Sequence, residues 1–165
     1  MITIEHASVA LGLIVTAVAL AWAAASDFSR YLIPNRVCAL VAAGYALAGF
    51  GLPLGPWVAG LAVGVLVLGV GAALFARGWV GGGDVKLAAA VTLWAGPAQF
   101  SDFALVTSIV GAALAGLMLS PLRRLMPRPA WADGATAGLG QPMPFGVPIA
   151  AGGAWVLVLH LTSNL

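Results

Sequence analysis

Two aspartates stand at the ends of long apolar segments: Asp27 in SDFSRYLIPN, residues 26–35, and Asp84 in GGGDVK, residues 81–86. An ionisable group near hydrocarbon is costly, about 2.5 kcal/mol or more at the centre of a membrane helix, so each acid needs a reason. Two carboxyl groups that share a proton can hydrolyse a peptide bond, because one activates water while the other protonates or polarises the carbonyl. Such a pair resists losing both protons and needs no metal ion. Asp27 and Asp84 therefore suggest an aspartyl dyad.

Each aspartate also has a plain structural explanation. Asp84 follows a glycine turn and could cap a helix by accepting hydrogen bonds from the free amides of its first turn. Asp27 could be a polar stop at the membrane edge, where residues 26–35 form a connector that Pro34 holds extended. Taken singly, the two acids leave these explanations open.

The composition predicts the elements that must position the acids. The chain has 165 residues, 62% hydrophobic and 7% charged, which is typical of a multi-pass membrane protein and excludes a soluble domain. Apolar runs long enough to cross about 30 Å of hydrocarbon predict an all-α domain over residues 1–165 with six spans. They lie near residues 6–25, 36–52, 56–76, 85–100, 103–122 and 143–162.

Two of the spans need comment. The first segment lacks a positively charged start, so we expect a retained span rather than a cleaved signal. The fourth is interrupted early by Pro97, so it either continues through that proline or begins deep in the membrane. In the second case Asp84 would lie in a wet recess entered through the glycines before it.

The basic residues predict the orientation. All seven fall in or beside the loops after spans one, three and five, and the opposite loops contain none. Because Lys and Arg accumulate in short cytoplasmic loops, we expect Asp27 and Asp84 at the cytoplasmic face, a long cytoplasmic loop over residues 123–142, and both termini outside. The seven residues are Arg30, Arg36, Arg77, Lys86, Arg123, Arg124 and Arg128.

Other residues narrow the range of functions. The basic residues are not interleaved with aromatic ones, so we expect contact with the headgroups of the lipid bilayer and not with nucleic acid. Cys38 is the single cysteine, which rules out an intramolecular disulfide or a cysteine-based zinc site and predicts a core position. His6 and His160 fall at the outer ends, so no metal or other cofactor is expected at the acids. The Gly60 and Gly64 spacing predicts close helix packing.

Taken together, the two segments resemble the signature regions of the type IV prepilin peptidases, which belong to the Gly-x-Gly-Asp class of intramembrane aspartic proteases. The resemblance implies that Asp27 and Asp84 are the catalytic pair and that Gly81 and Gly83 shape the loop around the second acid. Two further residues of the matching motifs, Lys86 after the Asp and Asn35 in the Ile-Pro-Asn turn, are candidate supporting residues. The start of span six, PMPFGVP at residues 142–148, also resembles the family's last segment, either as a kinked helix start or as a substrate contact.

The resemblance also implies a substrate and a location. The substrates would be prepilins or pilin-like proteins, with a short basic leader that is removed just before a hydrophobic stem. Cleavage would take place at the cytoplasmic face of the bacterial inner membrane, next to the pilus assembly machinery. Long family members carry a cytoplasmic region with paired cysteines that is associated with N-methylation. This chain has one cysteine and a short first connector, so it resembles the short peptidases of tight-adherence pilus systems, without methyltransferase activity.

Two other classes of function stay open at this level. Asp27 and Asp84 could form the relay of a proton-coupled or ion transporter. Transport sites usually lie near the membrane midplane, whereas both acids here fall at span ends. The chain could also be a non-catalytic membrane scaffold, with capping aspartates and packing glycines.

Overall fold

The computed structural model describes residues 4–121 and 143–163, and within these residues every regular element is helical. This confirms the all-α prediction. Three helices, α1, α3 and α4, are long and apolar enough to cross a membrane, and α2 and α5 are shorter apolar helices. The predicted loop 123–142, with its three arginines, lies outside the described residues. The helices are α1 (Ile4–Arg30), α2 (Asn35–Ala48), α3 (Leu54–Ala76), α4 (Gly82–Leu119) and α5 (Gly146–Ser163).

Helix α1 continues beyond the predicted end of the first span. The Ser29 hydroxyl donates a hydrogen bond of 2.6 Å to a carbonyl one turn earlier, and no helix breaker occurs before Pro34. The helix ends where Tyr31 turns into the left-handed region, with a φ of 54°, and Pro34 then forms the extended N-cap of α2. Asp27 therefore lies in the last turn of a helix and not in the connector that we expected over residues 26–35.

Helix α4 contains both the fourth and the fifth predicted spans, and it is broken at Gly96. Gly96 has a φ of 52° and a ψ of −167°, a conformation that glycine adopts without the steric cost of a side chain. Pro97 follows and has no N–H to continue the helical hydrogen bonds. The boundary that the sequence placed between residues 100 and 103 was therefore wrong, because Asp102 lies inside the second half of the helix.

The chain reverses direction at this break. Contacts between α4 and α5 show the reversal: Val91 lies against Gly153, Trp94 against His160, Phe103 against Gly152, and Gly111 against Phe145. Before Gly96, residues further along α4 contact residues further along α5. After Gly96, residues further along α4 contact residues closer to the start of α5. The first half of α4 thus runs parallel to α5 and the second half antiparallel to it. Asp84 and the C-terminal end of α4 consequently lie at the same end of the bundle.

An aromatic cluster joins four helices at the opposite end. Tyr45 of α2 stacks on Trp57 of α3 with ring centroids 5.9 Å apart. Trp94 of α4 meets Tyr45 edge-on at 5.5 Å and His160 of α5 at 5.7 Å. Hydrogen bonds reinforce these contacts, since the Trp94 indole donates to the Val41 carbonyl at 3.3 Å. Aromatic pairs of this geometry contribute about 0.5–1.5 kcal/mol each beyond burial.

Small residues of α3 let this cluster and α4 approach. A Cβ atom at Gly60 would overlap the Tyr45 hydroxyl and the Leu93 carbonyl, and one at Gly64 would overlap the Leu93 side chain. The close packing predicted from the Gly60 and Gly64 spacing is confirmed.

Replacing Gly60 with alanine is expected to destabilise the protein by about 1–3 kcal/mol, because α3 must move away from Tyr45 and Leu93. The matched control is Gly69→Ala in the same helix, where a Cβ atom meets no other group within 4 Å. That change should be neutral or should stabilise the helix by about 0.5–1 kcal/mol. Thermal unfolding in detergent micelles measures both, and equal midpoints for the two variants would contradict the packing described.

Candidate active site

Asp27 is held by the first turn of α5. Its side chain is 5% exposed, and its Oδ2 atom accepts a hydrogen bond of 2.6 Å from the backbone N–H of Gly146. The amide of Val147 also interacts with this carboxyl group. The first N–H groups of a helix have no partner within the helix, so the start of α5 is a natural donor to a carboxylate. The position of Asp27 thus depends on the position of α5.

Gly146 allows this close approach because it lacks a side chain. A Cβ atom there would lie 2.9 Å from Oδ2 of Asp27 and 2.7 Å from Cδ1 of Ile33. Any larger residue would push α5 away from the carboxyl group or displace Ile33. The glycine is therefore a steric requirement of the hydrogen bond.

Asp84 lies in the first turn of α4 and is partly exposed. The N-cap of that helix is Gly81, with no side-chain cap hydrogen bond, so the capping explanation of Asp84 is wrong. Within residues 4–121 and 143–163, no hydrogen bond to the Asp84 carboxyl group is found. The glycine loop passes close to the acid, since a Cβ atom at Gly81 would lie 2.8 Å from Oδ2 of Asp84.

One cavity of about 740 Å³ contains both acids in its wall. Asp27 and Asp84 are near enough for their charges to repel each other when both are ionised. Gly81 and Gly83 line the same cavity, and a Cβ atom at Gly83 would lie 3.2 Å from Cβ of Ile33. Other parts of the wall come from the connector after α1, the turn after α3 and the residues before α5, namely Tyr31, Ile33, Trp79 and Met143. The structure thus brings together the two acids and the two glycines that the sequence singled out.

Tyr31 is a cavity residue that the sequence did not indicate. It lies one turn beyond Asp27, and its backbone N–H donates a hydrogen bond of 2.8 Å to the Asp27 carbonyl. Its φ of 54° costs an ordinary L-residue about 1–2 kcal/mol. Burial, and then the nearby charge of Asp27, raise the pKa of the Tyr31 phenol above its usual value, so the phenol stays protonated at neutral pH.

Lys86 and Asn35 contact each other and not the acids. The Lys86 ammonium donates a hydrogen bond of 2.9 Å to Oδ1 of Asn35. Both side chains are exposed, and both line a neighbouring groove and not the cavity of the two acids. The structure therefore places these candidate supporting residues beside the acids' cavity.

Gly146 is a second residue that sequence reasoning did not assign. It falls in the segment 142–148, whose turn residues had suggested only a kinked helix start or a substrate contact. Met143 of the same segment also lines the cavity. Nothing in the sequence links either residue to Asp27, because the hydrogen bond joins positions 119 residues apart.

Groups suited to metal binding are not assembled in the described part of the chain. Residues 4–121 and 143–163 contain no cluster of three or more His, Cys, Asp or Glu side chains that could hold a metal ion. His6 and His160 line a separate cavity with Glu5 at the other end of the bundle. Among the described residues, the groups in the wall of the acids' cavity that can transfer protons are the two carboxyl groups and the Tyr31 phenol.

Comparisons with known proteins point to one family. A sequence model of the Type IV leader peptidase family matches residues 14–116, a range that includes Asp27, Asp84 and both motifs around them. The chain is also 36% identical over 132 residues to the prepilin leader peptidase/N-methyltransferase of Bacillus subtilis (strain 168), covering 78% of this chain. It spans about half the length of that relative, 48%. No solved structure matches the chain.

The two acids are expected to differ in their contribution to stability. Asp27→Ala leaves the buried Gly146 amide without an acceptor and should lower the free energy of unfolding by about 1–3 kcal/mol. Asp84→Ala removes a half-buried group and its repulsion with Asp27. The free energy of unfolding should therefore fall by less than about 0.5 kcal/mol, or rise. Thermal unfolding in micelles measures both variants. A larger loss for Asp84→Ala than for Asp27→Ala would contradict this account of the site.

Proposed function

The chain belongs to the type IV leader peptidase family, and from this premise we propose that it is an aspartic endopeptidase that removes leader peptides from prepilins or pilin-like proteins. One observation carries the proposal: Asp27 and Asp84, 57 positions apart in the printed sequence, line a single cavity. Two carboxyl groups in one cavity can act together as general base and general acid. The family match covers both acids and so supports the same assignment.

The reaction needs one ionised and one protonated carboxyl group. The ionised group takes a proton from water as the water oxygen bonds to the scissile carbonyl carbon. The carbonyl oxygen receives the proton of the other acid, which gives a neutral gem-diol. The C–N bond then breaks: the leaving nitrogen takes the proton held by the first carboxyl group, and a gem-diol hydroxyl returns one to the second. Both carboxyl groups end in their starting states.

Of the two carboxyl groups, we assign the negative charge to Asp27. A hydrogen bond from an amide to an ionised carboxylate is about twice as strong as one between neutral groups, and Asp27 accepts such a bond from Gly146 at 2.6 Å. Asp84 has no such hydrogen bond within residues 4–121 and 143–163, and the field of the α4 N-terminus favours its ionised form by only about 0.3–1 kcal/mol. Asp27 would therefore activate the water, and Asp84 would hold the proton and donate it to the carbonyl oxygen.

The placement of charge supports a membrane orientation for the proposed enzyme. The four described basic residues, Arg30, Arg36, Arg77 and Lys86, all lie at or next to the helix ends around the acids' cavity. Because basic residues remain in the cytoplasm, the cavity would open at the cytoplasmic face of a bacterial inner membrane. The reversal at Gly96 would make the two halves of α4 separate crossings, so the chain would cross six times, with both termini outside.

We assign no methyltransferase activity to this chain. In the long members of the family that this sequence resembles, methyltransferase activity is associated with a cytoplasmic region that contains paired cysteines. Here residues 31–34 are the whole connection between α1 and α2, and Cys38, the single cysteine, is buried in α2. The substrate would therefore leave with a free and unmodified N-terminus, next to the pilus assembly machinery.

Substituting either acid with its amide is expected to abolish leader removal. Asp27→Asn removes the base and Asp84→Asn removes the acid, and each loss should lower the rate by about 100-fold or more. The measurement is co-expression with a prepilin, followed by the electrophoretic shift of the product. Asp102→Asn is the matched control, the same change at an aspartate of α4 that lines neither the acids' cavity nor its neighbour, and it should retain cleavage. Undiminished cleavage by either amide variant, correctly inserted in the membrane, would rule out the dyad.

Single cysteines test the proposed orientation in a Cys38→Ala background. Val80 lies in the wall of the acids' cavity. Phe50, which is 77% exposed, lies at the opposite end of the bundle. Each is replaced with cysteine in turn. A membrane-impermeant thiol reagent should label position 80 only from the cytoplasmic side and position 50 only from the outside. Labelling of both positions from one side would refute the proposed crossing pattern.

A further inference from the structure

A second cavity, of about 440 Å³, runs along α4 between α2 and α3. Both α2 and α3 pack on α4, and they leave a gap over its surface. We call this gap the α2–α3 groove. Small side chains form most of its floor and walls. They are Cys38, Ala39 and Ala42 of α2, Gly64 of α3, and Ala89 and Ala90 of α4.

The near end of the groove lies close to the acids, although no described residue lines both cavities. Asn35 and Lys86, which share the 2.9 Å hydrogen bond, line its near end. The charge of Asp84 acts on Cys38 in the wall of the groove, so the groove lies within electrostatic reach of this acid. From Lys86 the groove extends along α4 as far as Leu93, which is about 10 Å at about 1.5 Å per residue.

We infer that the α2–α3 groove binds the first two turns of the apolar stem of the substrate. The inference rests on the proposed function, because it needs a substrate whose cleaved bond is followed directly by a hydrophobic helix. With that bond between Asp27 and Asp84, a stem that continues into the membrane meets the groove at Asn35 and Lys86. The direction is the one required, with the leader on the water side and the stem toward the aromatic cluster.

The groove suits one face of a helix. Membrane helices approach closely where small residues line the contact, because little hydrophobic driving force exists between apolar surfaces in lipid. A helix is about 10 Å across, so one turn of about 5.4 Å occupies roughly 420 Å³. Two turns, about 10 Å long, therefore occupy about twice the 440 Å³ of the groove. One side of these turns would fill the groove, and the other side would face lipid. At its near end, Lys86 and Asn35 offer polar groups where the stem meets the leader.

Photo-crosslinking tests contact between the groove and the stem. Benzoylphenylalanine at Leu68, which lines the groove, is compared with the same residue at Leu66, a 65% exposed position of α3 outside the groove. Both are made with Asp84→Asn, so that bound prepilin stays intact in the membrane. We expect crosslinks from position 68 to the first two turns of the stem, at least tenfold more than from position 66. Equal yields from the two positions, or crosslinks from position 68 to lipid alone, would overturn the inference.

Cleavage kinetics separate the groove from the chemistry. The paired variants are Ala42→Phe, which fills the groove, and Ala43→Phe, which is exposed and lies outside it. Two substrates are compared: a full prepilin, and a peptide with the leader and cleavage site but no stem. We expect Ala42→Phe to lower kcat/KM for the prepilin at least tenfold more than for the peptide, mainly through KM, and Ala43→Phe to affect neither.

The outcomes distinguish this inference from the function on which it rests. Equal effects of Ala42→Phe on the two substrates would overturn the groove assignment and leave the peptidase intact. If the unaltered chain cuts neither substrate, the proposed function fails, and the groove inference fails with it.

Discussion

The hydrogen bond between the Gly146 amide and the Asp27 carboxylate is the contact on which the rest of the structure depends. A buried carboxylate is very costly unless hydrogen-bonded partners compensate for the lost water, and Asp27 is 5% exposed. Its partner comes from α5, 119 residues away in the sequence. The remaining helices must therefore deliver the start of α5 to the end of α1, and residue 146 must be a glycine to let the two helices meet.

The reversal at Gly96 satisfies this requirement. Helix α2 leads away from the acids, α3 returns to them, and the first half of α4 leads away again. If residues 82–119 formed one straight helix, it would extend for about 57 Å at about 1.5 Å per residue, and its C-terminal end would lie far from Asp27. Because Gly96 turns the chain back along α5, α4 ends at the same end of the bundle as Asp27. One glycine in a conformation outside the helical region thus brings the chain back to the end of the bundle where the start of α5 binds Asp27.

The sequence predicted those parts of the site that depend on composition and short motifs. The apolar runs predicted an all-α bundle, and the pairing of Asp27 with Asp84 came from their common placement at span ends. The sequence did not predict what depends on distant contacts. Pro97 was visible as a possible interruption, but apolar residues continue on both sides of it, and their pattern does not show that the chain turns back at Gly96. Gly146 was visible as one residue of a turn-rich segment, and only the fold shows which carboxylate its amide meets.

The same geometry suits the proposed dyad, in which two carboxyl groups share one proton. Two helix N-termini converge on the cavity, that of α5 at Asp27 and that of α4 at Asp84. Each N-terminus carries the equivalent of about half a positive charge, so together they offset about one negative charge. Two ionised carboxylates would exceed this compensation and repel each other, whereas two protonated carboxyl groups would leave the helix termini without an anion. The arrangement therefore favours a single negative charge on the pair, which is the state that the proposed hydrolysis starts from and returns to.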